Sequence, residues 1–304
     1  MSFLANKQGV LAVLRHALEF PQLQFSDIHS FRQQLNAGFQ RYSTAHNALY
    51  LGAQAATPGM AFLAGYQNAI RCLDPNCPND ELAAFCVSEK GVKKPWDMIT
   101  HIALSADTYY LNGQKGYVML LPDALDRMYV VAKNAEGQLC CLYLPVKSSG
   151  VSTTESLSAP FVEDIPHSGV RFDEVCIPNQ QLLDIDGHQQ ANKPFRYWED
   201  VHVALAMMAW MLRGCIENNR ADSESLLTEL DDMAQLICQL IEKFAEQPDY
   251  YSLESISLLD KCHELMENYS QHLSTRLKTL WLKDRLLLQM GQKIRHLVRT
   301  KLIQ

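Results

Sequence analysis

The sequence predicts an α+β, multidomain chain: a short helical N-terminal region, an antiparallel β-barrel-like middle domain and a C-terminal up-and-down helical bundle. Two observations lead to this fold class. Apolar residues recur with a helical period up to about residue 84 and again beyond residue 193, whereas short alternating runs fill the stretch between. We therefore expect domains at residues 1–84, 85–183 and 184–304.

The N-terminal region contains three helical patterns separated by breaks. Apolar side chains repeat every three or four residues within 11–18, 31–39 and 60–69. The triplet Thr57-Pro58-Gly59 interrupts the chain just before the third pattern. Helices with tight connections are expected here.

The middle region changes to strand patterns. Short alternating apolar runs occupy residues 109–111, 117–121, 128–132, 139–144, 170–172 and 175–177. Asn112-Gly113 and Glu136-Gly137 stand where hairpin turns are expected. About a hundred residues of antiparallel sheet or barrel are predicted.

The C-terminal region predicts a bundle of four long helices. Residues 201–212 are apolar on all sides, which is typical of a helix enclosed by others, and Met207, Met208, Trp210 and Met211 are expected to be core. Apolar residues also follow a helical period within 226–244 and 253–269. The last segment places Leu277, Leu280, Trp281 and Leu288 between basic residues.

Charge divides the C-terminal region. Residues 271–304 carry eight basic side chains against Asp284 alone, whereas residues 217–270 hold thirteen acids and three bases. This complementarity favours docking of the basic end on the acidic helices and does not imply nucleic-acid binding. The alternative is a basic tail with an anionic partner.

Composition excludes several classes of protein. With 47% hydrophobic and 20% charged residues the chain is neither disordered nor of low complexity. The longest apolar run is ten residues, half of what a spanning helix needs, so we expect no membrane segment.

The nine cysteines contain no CxxC pair, and Cys72 and Cys77 lack a second ligand pair, so we expect free thiols in the cytoplasm and no metal.

Three motifs carry a family resemblance. They are Phe-Cys-Val-Ser-Glu-Lys-Gly at 85–91, Tyr-Leu-Asn-Gly-Gln-Lys-Gly-Tyr-Val at 110–118 and Val-Arg-Phe-Asp-Glu-Val-Cys-Ile-Pro at 170–178. In this order and spacing they resemble the acyl-CoA dehydrogenases, of which the chain looks like a divergent, shortened member. The resemblance implies a flavoprotein that binds flavin adenine dinucleotide (FAD) and an acyl-CoA or a related acyl thioester.

The resemblance also implies roles for individual residues. Val87 and Ser88 would face the flavin ring, with Ser88 in place of a hydroxyl-bearing threonine, and Gly91 belongs to the same cofactor-binding segment. Tyr117 would take the place of a tryptophan that covers the ring edge. Asp97 matches the last residue of a Gly-Ser-Asp segment that approaches the pyrophosphate and CoA, which implies substrate binding.

Several positions depart from the family pattern at cofactor contacts. The Gly-Ser-Asp segment is replaced by Val92-Lys93-Lys94-Pro95-Trp96-Asp97, in which a lysine pair could supply charge to phosphate. Met119 stands where the family has a hydrogen-bonding threonine. Arg220 alone is left of an Arg-x-x-Phe-Gly motif, and the adenine-binding segment and the late catalytic glutamate are absent.

Glu199 is the candidate catalytic base. It follows Pro178 by 21 positions, as in a branch of the family that includes isovaleryl-CoA dehydrogenase. A carboxylate beside a buried helix would have a raised pKa, which suits removal of an α-proton. The alternative is an acid in the first helical turn that, with Asp200, interacts with the helix dipole.

Two hypotheses of function follow. The first is FAD-dependent α,β-dehydrogenation of an acyl thioester, with Glu199 as the base. The second is a catalytically silent relative that serves as a ligand-binding or protein-interaction scaffold without FAD. We expect a homo-oligomer, because the family closes its cofactor site across subunits. His101, His167, His188 and His202 are expected to be surface or hydrogen-bonded side chains rather than catalysts.

Overall fold

The structure, a computed structural model, describes residues 7–105, 107–120, 124–157, 161–218 and 223–304. The chain divides into two compact units. The helical unit comprises Met1–Cys72, Pro160–Asp164 and Arg196–Gln304, and the β-sheet unit comprises Leu73–Ala159 and Ile165–Phe195. The division into three domains stays a prediction.

Four helices form the N-terminal part of the chain: α1 (Lys7–Leu18), α2 (Ile28–Phe39), α3 (Thr44–Gln54) and α4 (Pro58–Leu73). The α3 helix has no amphipathic pattern because residues 45–54 are all buried, and the sequence did not predict it. Ser43 caps the N-terminus of α3. At the start of α4, Pro58 is the first helical residue, and the Thr57 hydroxyl accepts a hydrogen bond from the Met60 N–H.

The C-terminal part of the helical unit is built on α5 (Lys193–Asn218), α6 (Ser223–Glu246) and α7 (Leu253–Tyr269). Residues 201–212 are buried along α5, as predicted for an enclosed helix. Close packing depends on Gly52 of α3, where an added Cβ would come within 2.3 Å of the Ala206 carbonyl oxygen. Any side chain at position 52, even that of alanine, is therefore excluded at this crossing.

The expected fourth long helix is three shorter ones, so that prediction is wrong. They are α8 (Thr275–Asp284), α9 (Leu286–Met290) and α10 (Gln292–Ile303). The breaks lie at Arg285 and Gly291, whose ψ values of −18° and −19° are those of a tightened, 3₁₀-like turn. Gly291 also lies against the Asp200 carboxylate, where an added Cβ would come within 2.6 Å.

The basic C-terminal segment docks on α7 and α5, as its charge predicted. Arg285 lies 2.8 Å from Glu267, and Arg299 lies 2.5 Å from Asp260. The Trp281 side chain is fully buried and stacks on Trp210 at a centroid distance of 6.3 Å. The segment therefore contributes to the core of the helical unit.

Eight strands form one mixed sheet. They are β1 (Ala83–Cys86), β2 (His101–Ser105), β3 (Thr108–Met119), β4 (Arg127–Lys133), β5 (Leu139–Pro145), β6 (Val151–Ser156), β7 (His167–Ile177) and β8 (Leu182–Asp186). The order is β6-β7-β3-β2-β4-β5-β8, with β1 also paired to β4.

The expected antiparallel barrel is not what these strands form. The pairs β1·β4 and β2·β4 are parallel, and within the described strands no pairing joins β6 to β8, so the sheet is open. Parallel pairing of β1 with β4 is possible because a long segment joins them, whereas a tight turn would allow only antiparallel pairing.

One of the two predicted hairpin turns is wrong. Asn112-Gly113 lies inside the continuous strand β3, and the hairpin is formed instead by β2 and β3. Gly113 has φ +134°, and an added Cβ would come within 2.6 Å of Thr100 Cα, so glycine is required for this approach. The turn at Glu136-Gly137 is confirmed, with Gly137 at φ +77° between β4 and β5.

No described helix is long and apolar enough to cross a membrane.

Candidate functional site

The end of β1 and the bulged part of β3 form one exposed edge of the β-sheet unit. The Ser88 carbonyl oxygen accepts a hydrogen bond of 2.9 Å from the Gly116 N–H. Val87 is half-buried, Ser88 is exposed, and the Ser88 hydroxyl makes no hydrogen bond to the described residues. The structure thus brings the first matched motif next to the second.

Tyr117 presents its ring on this edge from an unusual backbone conformation. Its φ is +54°, and the residue is 67% exposed. In the pairing with β7, Lys115 lies opposite Val170 and Val118 opposite Ser168, so two β3 residues face the single residue Gly169. This β-bulge interrupts the normal alternation and directs Tyr117 away from the core. A non-glycine residue with positive φ is uncommon, and such strain is often stored at functional positions.

A buried ion pair lies beneath the edge. The Lys115 Nζ donates to Glu89 Oε1 at 2.8 Å and to the Val87 carbonyl oxygen at 3.1 Å. The Lys115 and Glu89 side chains are 0% and 1% exposed. Glu89 also accepts from the backbone N–H groups of Ile99 at 2.7 Å and Thr100 at 3.1 Å. The pair therefore ties the loop after β1 to β3 and to the start of β2.

The hydrogen bonds decide the charge state of Glu89. Burial raises the pKa of the Glu89 carboxyl, but the hydrogen bonds from Lys115 and Ile99 outweigh it and leave the pKa below its usual range. Burial lowers the pKa of Lys115, and Glu89 opposes that change. Lys115 and Glu89 thus form a charge-assisted hydrogen bond, and both Glu89 oxygens also accept backbone N–H groups.

The loop after the edge carries Gly91 and Asp97. Gly91 has φ +82° in a turn closed by the Val92 N–H and the Glu89 carbonyl oxygen, and an added Cβ there would meet nothing within 4 Å. The side chain of Asp97 is exposed in the 3₁₀ turn Pro95–Asp97. Trp96 is 57% exposed and contacts His188 edge to face. The loop after β1 is therefore exposed to solvent and carries basic and aromatic side chains.

Lys93 and Lys94 supply the positive charge of this loop. Both side chains are exposed and form no ion pair with the described residues. An anionic group such as a phosphate could pair with them directly.

Glu199 lies in the helical unit, in the second turn of α5. The helix begins six residues earlier, at Lys193, so the alternative of an acid in the first helical turn is wrong, since the dipole effect falls off within that turn. Arg196 Nη1 donates to Glu199 Oε2 at 3.1 Å. Burial raises the pKa of Glu199 above its ordinary range, Arg196 opposes the increase, and Asp200 adds to it.

Asp200 shares the ion-pair partner Arg196 with Glu199, at 3.7 Å, but has hydrogen-bond partners of its own. Its Oδ2 accepts hydrogen bonds from Tyr251 at 2.6 Å and from Arg295 at 2.7 Å. Asp200 thus belongs to a hydrogen-bonded network with Tyr251 and Arg295 that does not include Glu199.

The remaining predicted positions divide by environment. Met119 is buried, with 6% exposure, so it offers no polar contact at the surface. Each of the four singled-out histidines is hydrogen-bonded, as expected; His202 contacts the Trp198 carbonyl oxygen at 2.7 Å and Thr44 Oγ1 at 2.9 Å. Arg220 lies outside the described residues. Within the described ranges, no three His, Cys, Asp or Glu side chains cluster to hold a metal ion.

Sequence reasoning missed the roles of Glu89 and Lys115. Both residues stand inside the matched motifs, and a carboxylate in one motif with an ammonium in the other was the available signal. Their pairing depends on the contact between β3 and the loop after β1, which spans 26 residues of chain.

Comparisons with known proteins identify the fold. Neither the protein-family models nor the curated proteins give a match. Butyryl-CoA dehydrogenase from Megasphaera elsdenii matches with a TM-score of 0.66 at 14% identity, over 85% of this chain and 81% of that chain. Glutaryl-CoA dehydrogenase from Mycobacterium smegmatis matches with a TM-score of 0.66 at 14% identity, over 98% and 94%.

A third solved structure extends the comparison. The prolyl acyl carrier protein oxidase AnaB matches with a TM-score of 0.69 at 14% identity, over 97% of each chain. At these identities the likeness concerns the fold. The chain therefore has the fold of the acyl-CoA dehydrogenases and related FAD-dependent dehydrogenases, at low sequence identity, as the three motifs predicted.

Proposed function

We propose that the protein is a flavoprotein that catalyses α,β-dehydrogenation of an acyl thioester, on CoA or a related carrier. The observation that carries the proposal is the exposed Tyr117 ring, held at φ +54° by a β-bulge beside the free Ser88 hydroxyl. An exposed aromatic ring and an unpaired hydroxyl on one rigid edge suit a planar, polar-edged ligand.

The residues of this edge fit the flavin ring of FAD. Val87 and Tyr117 would contact the ring, and Ser88 would hydrogen-bond to it; Gly91 leaves room for close approach, and Lys93 and Lys94 would pair with phosphate oxygens. Bound FAD supplies a two-electron acceptor for a hydride from the β-carbon of the substrate. The Glu89–Lys115 pair holds the edge in position from below.

Glu199 is the proposed general base of this reaction. Its side chain is 17% exposed, and the raised pKa matches a carboxylate that must take up a proton from a carbon acid. Arg196 keeps one carboxylate oxygen oriented, and the α-proton would be taken at the carboxylate. Asp97, exposed in its 3₁₀ turn, is the proposed contact to the thioester carrier.

Purified protein tests both parts of the proposal. We expect a yellow protein whose flavin absorbance persists through gel filtration. Glu199→Gln should retain the flavin while losing turnover of acyl-CoA substrates by at least about 10²-fold, the lower range for a general base. Glu242→Gln, an exposed acid of α6, is the matched control and should leave turnover unchanged. Full activity of Glu199→Gln would remove Glu199 from this role.

A catalytically silent scaffold without FAD is the second candidate. The observation that favours it is the Arg196–Glu199 ion pair of 3.1 Å, which engages the candidate base, together with the buried Met119 in place of a hydrogen-bonding residue. Colourless protein that takes up no added FAD would support the scaffold and exclude the enzyme.

We further propose a homo-oligomer in a reducing cytoplasm. The family resemblance supports the oligomer, and the absence of any disulfide among the nine free cysteines supports the compartment. Sedimentation across micromolar concentrations should give a species larger than 34.5 kDa. A purely monomeric species would contradict the oligomer.

A further inference from the structure

A polar cleft opens between α7 and the helices α8–α10 of the helical unit. Its volume is about 560 Å³, which lies within the range of small-molecule sites. Neither Glu199 nor any residue of the exposed edge described above lines it. The proposed dehydrogenase site therefore does not account for this cleft.

Two buried donors in the wall of this cleft lack an acceptor. The Trp281 side chain is 0% exposed and the Arg295 residue 2% exposed, and both line the cleft. Within the described part of the chain, neither Trp281 Nε1 nor Arg295 Nε has a hydrogen-bond partner. Asp260 Oδ1 lies 3.7 Å from Arg295 Nε, beyond hydrogen-bond distance.

The Arg295 guanidinium cannot turn to satisfy its Nε–H. Its Nη1 donates to Asp200 Oδ2 at 2.7 Å, and its Nη2 donates to the Leu288 carbonyl oxygen at 3.2 Å. Tyr251 donates to the same Asp200 oxygen at 2.6 Å and holds that carboxylate in place. Buried donors without acceptors are unfavourable, so an oxygen atom brought by a ligand would be stabilised here.

His263 adds a third donor to the cleft. Its Nδ1 lies 3.3 Å from Arg295 Nη2, and since a guanidinium only donates, Nδ1 accepts and the ring proton lies on Nε2. Burial and the neighbouring Arg295 lower the pKa of His263 to about 4, whereas Asp200 and Asp260 oppose this, so the ring is neutral at physiological pH.

Two of the three acids that line the cleft are paired with bases, and the third, Glu264, is exposed. Glu267 pairs with Arg285 at 2.8 Å, and Asp260 pairs with Arg299 at 2.5 Å. Asp260 Oδ1 lies within ion-pair distance of Arg295 Nε but not within hydrogen-bond distance, and in the described part of the chain no carboxylate accepts from Trp281 Nε1. The N–H groups of Trp281 Nε1 and Arg295 Nε therefore remain without acceptor oxygens.

We propose that this cleft binds a small organic carboxylate, whose oxygens accept hydrogen bonds from Trp281 Nε1 and Arg295 Nε. A carboxylate offers two oxygens in one plane, which suits one guanidinium N–H and one indole N–H. The cleft volume admits a metabolite-sized acid.

Nuclear magnetic resonance tests the proposal directly on the full chain. The protein has four tryptophans, so the indole N–H resonance of Trp281 can be assigned with Trp281→Phe. Acetate, succinate and citrate are added separately up to about 10 mM, ten times a Kd of about 1 mM. We expect one of them to shift the Trp281 resonance saturably, while the resonances of Trp96 and Trp198 stay unchanged. Sodium chloride at matched ionic strength should have no effect.

Two variants measured by calorimetry separate binding from packing. Trp281→Phe removes the indole N–H donor but keeps an aromatic ring. It should raise the Kd of the carboxylate that binds by roughly ten- to hundredfold, as expected for the loss of a hydrogen bond to a charged group. Gln292→Glu places a negative charge on the exposed wall of the cleft and should also weaken binding. Gln247→Glu, an exposed residue outside the cleft, is the matched control and should bind as the unchanged protein does.

Three results would overturn the carboxylate site. They are an unmoved Trp281 resonance with all three acids, an equal shift with sodium chloride, and unchanged affinity in Gln292→Glu. The affinity of Gln292→Glu tests the proposal even if Trp281→Phe fails to fold. Saturable binding of inorganic phosphate without any carboxylate would also refute the assigned ligand class.

Discussion

Replacement of Lys115 by methionine removes one half of the buried ion pair beneath the exposed edge. The variant leaves the Glu89 carboxylate buried, with the backbone N–H groups of Ile99 and Thr100 as its remaining donors. Removal of one partner from a buried pair costs about 3–5 kcal/mol, because the other charge is left uncompensated. We therefore expect Lys115→Met to lower the free energy of unfolding of the β-sheet unit by about that amount.

Urea denaturation of a small set of variants measures this cost. Glu89→Gln should also be strongly destabilised, whereas Glu89→Gln/Lys115→Met should lose less than the sum of the two single changes, because no charge remains unpaired. Lys90→Met is the matched control: its partner Glu155 lies 3.9 Å away, both side chains are exposed, and we expect a change below about 1 kcal/mol.

Hydrogen exchange gives a local measurement. In Glu89→Gln the amides of Ile99 and Thr100 lose their charged acceptor and should exchange faster than in Lys90→Met. Because the pKa of Glu89 is lowered in the folded protein, its stabilising contribution is present above the unfolded pKa of about 4.3 and is lost as the pH falls through the folded value. Single variants as stable as Lys90→Met, with unchanged exchange, would refute this account.

Three further predictions concern the site and the core. Tyr117→Gly relieves the left-handed backbone and should leave the free energy of unfolding within about 1 kcal/mol in urea denaturation, while flavin retention falls; a large loss of stability would make Tyr117 structural. Since the pKa of Glu199 is raised and Arg196 opposes the increase, turnover should rise with pH, and Arg196→Gln should move this rise to higher pH; an unmoved pH–rate profile would contradict the base assignment. Trp281→Ala should cost about 3–5 kcal/mol in thermal or urea unfolding, and a smaller effect would show that the basic segment does not close the core.

The helical unit was largely predictable from the sequence. The positions of α6 and α7 follow from amphipathic periods, and the burial of residues 201–212 in α5 follows from an apolar run without a polar face. These signals are local, since they depend only on residues within a few turns of one another. The α3 helix was missed because burial on all sides leaves no period to detect.

The sheet shows where local signals fail. Asn112-Gly113 is a strong hairpin signal, yet the chain continues through it because β7 pairs with β3 on both sides of this point. The edge strands β6 and β8 carry only weak alternation, and the parallel pairing of β1 with β4 joins segments more than forty residues apart. No local pattern specifies such pairs, since their energy comes from backbone hydrogen bonds to distant strands.

The candidate site divides in the same way. The sequence by itself determined which residue types are available and, through three motifs, the fold that the structural comparisons support. Only the tertiary structure decided that Glu89 and Lys115 form one buried pair, that a bulge exposes Tyr117, and that Glu199 is held by Arg196. The physical reason is that the exposure, charge state and orientation of a side chain depend on neighbours that the fold brings from elsewhere in the chain.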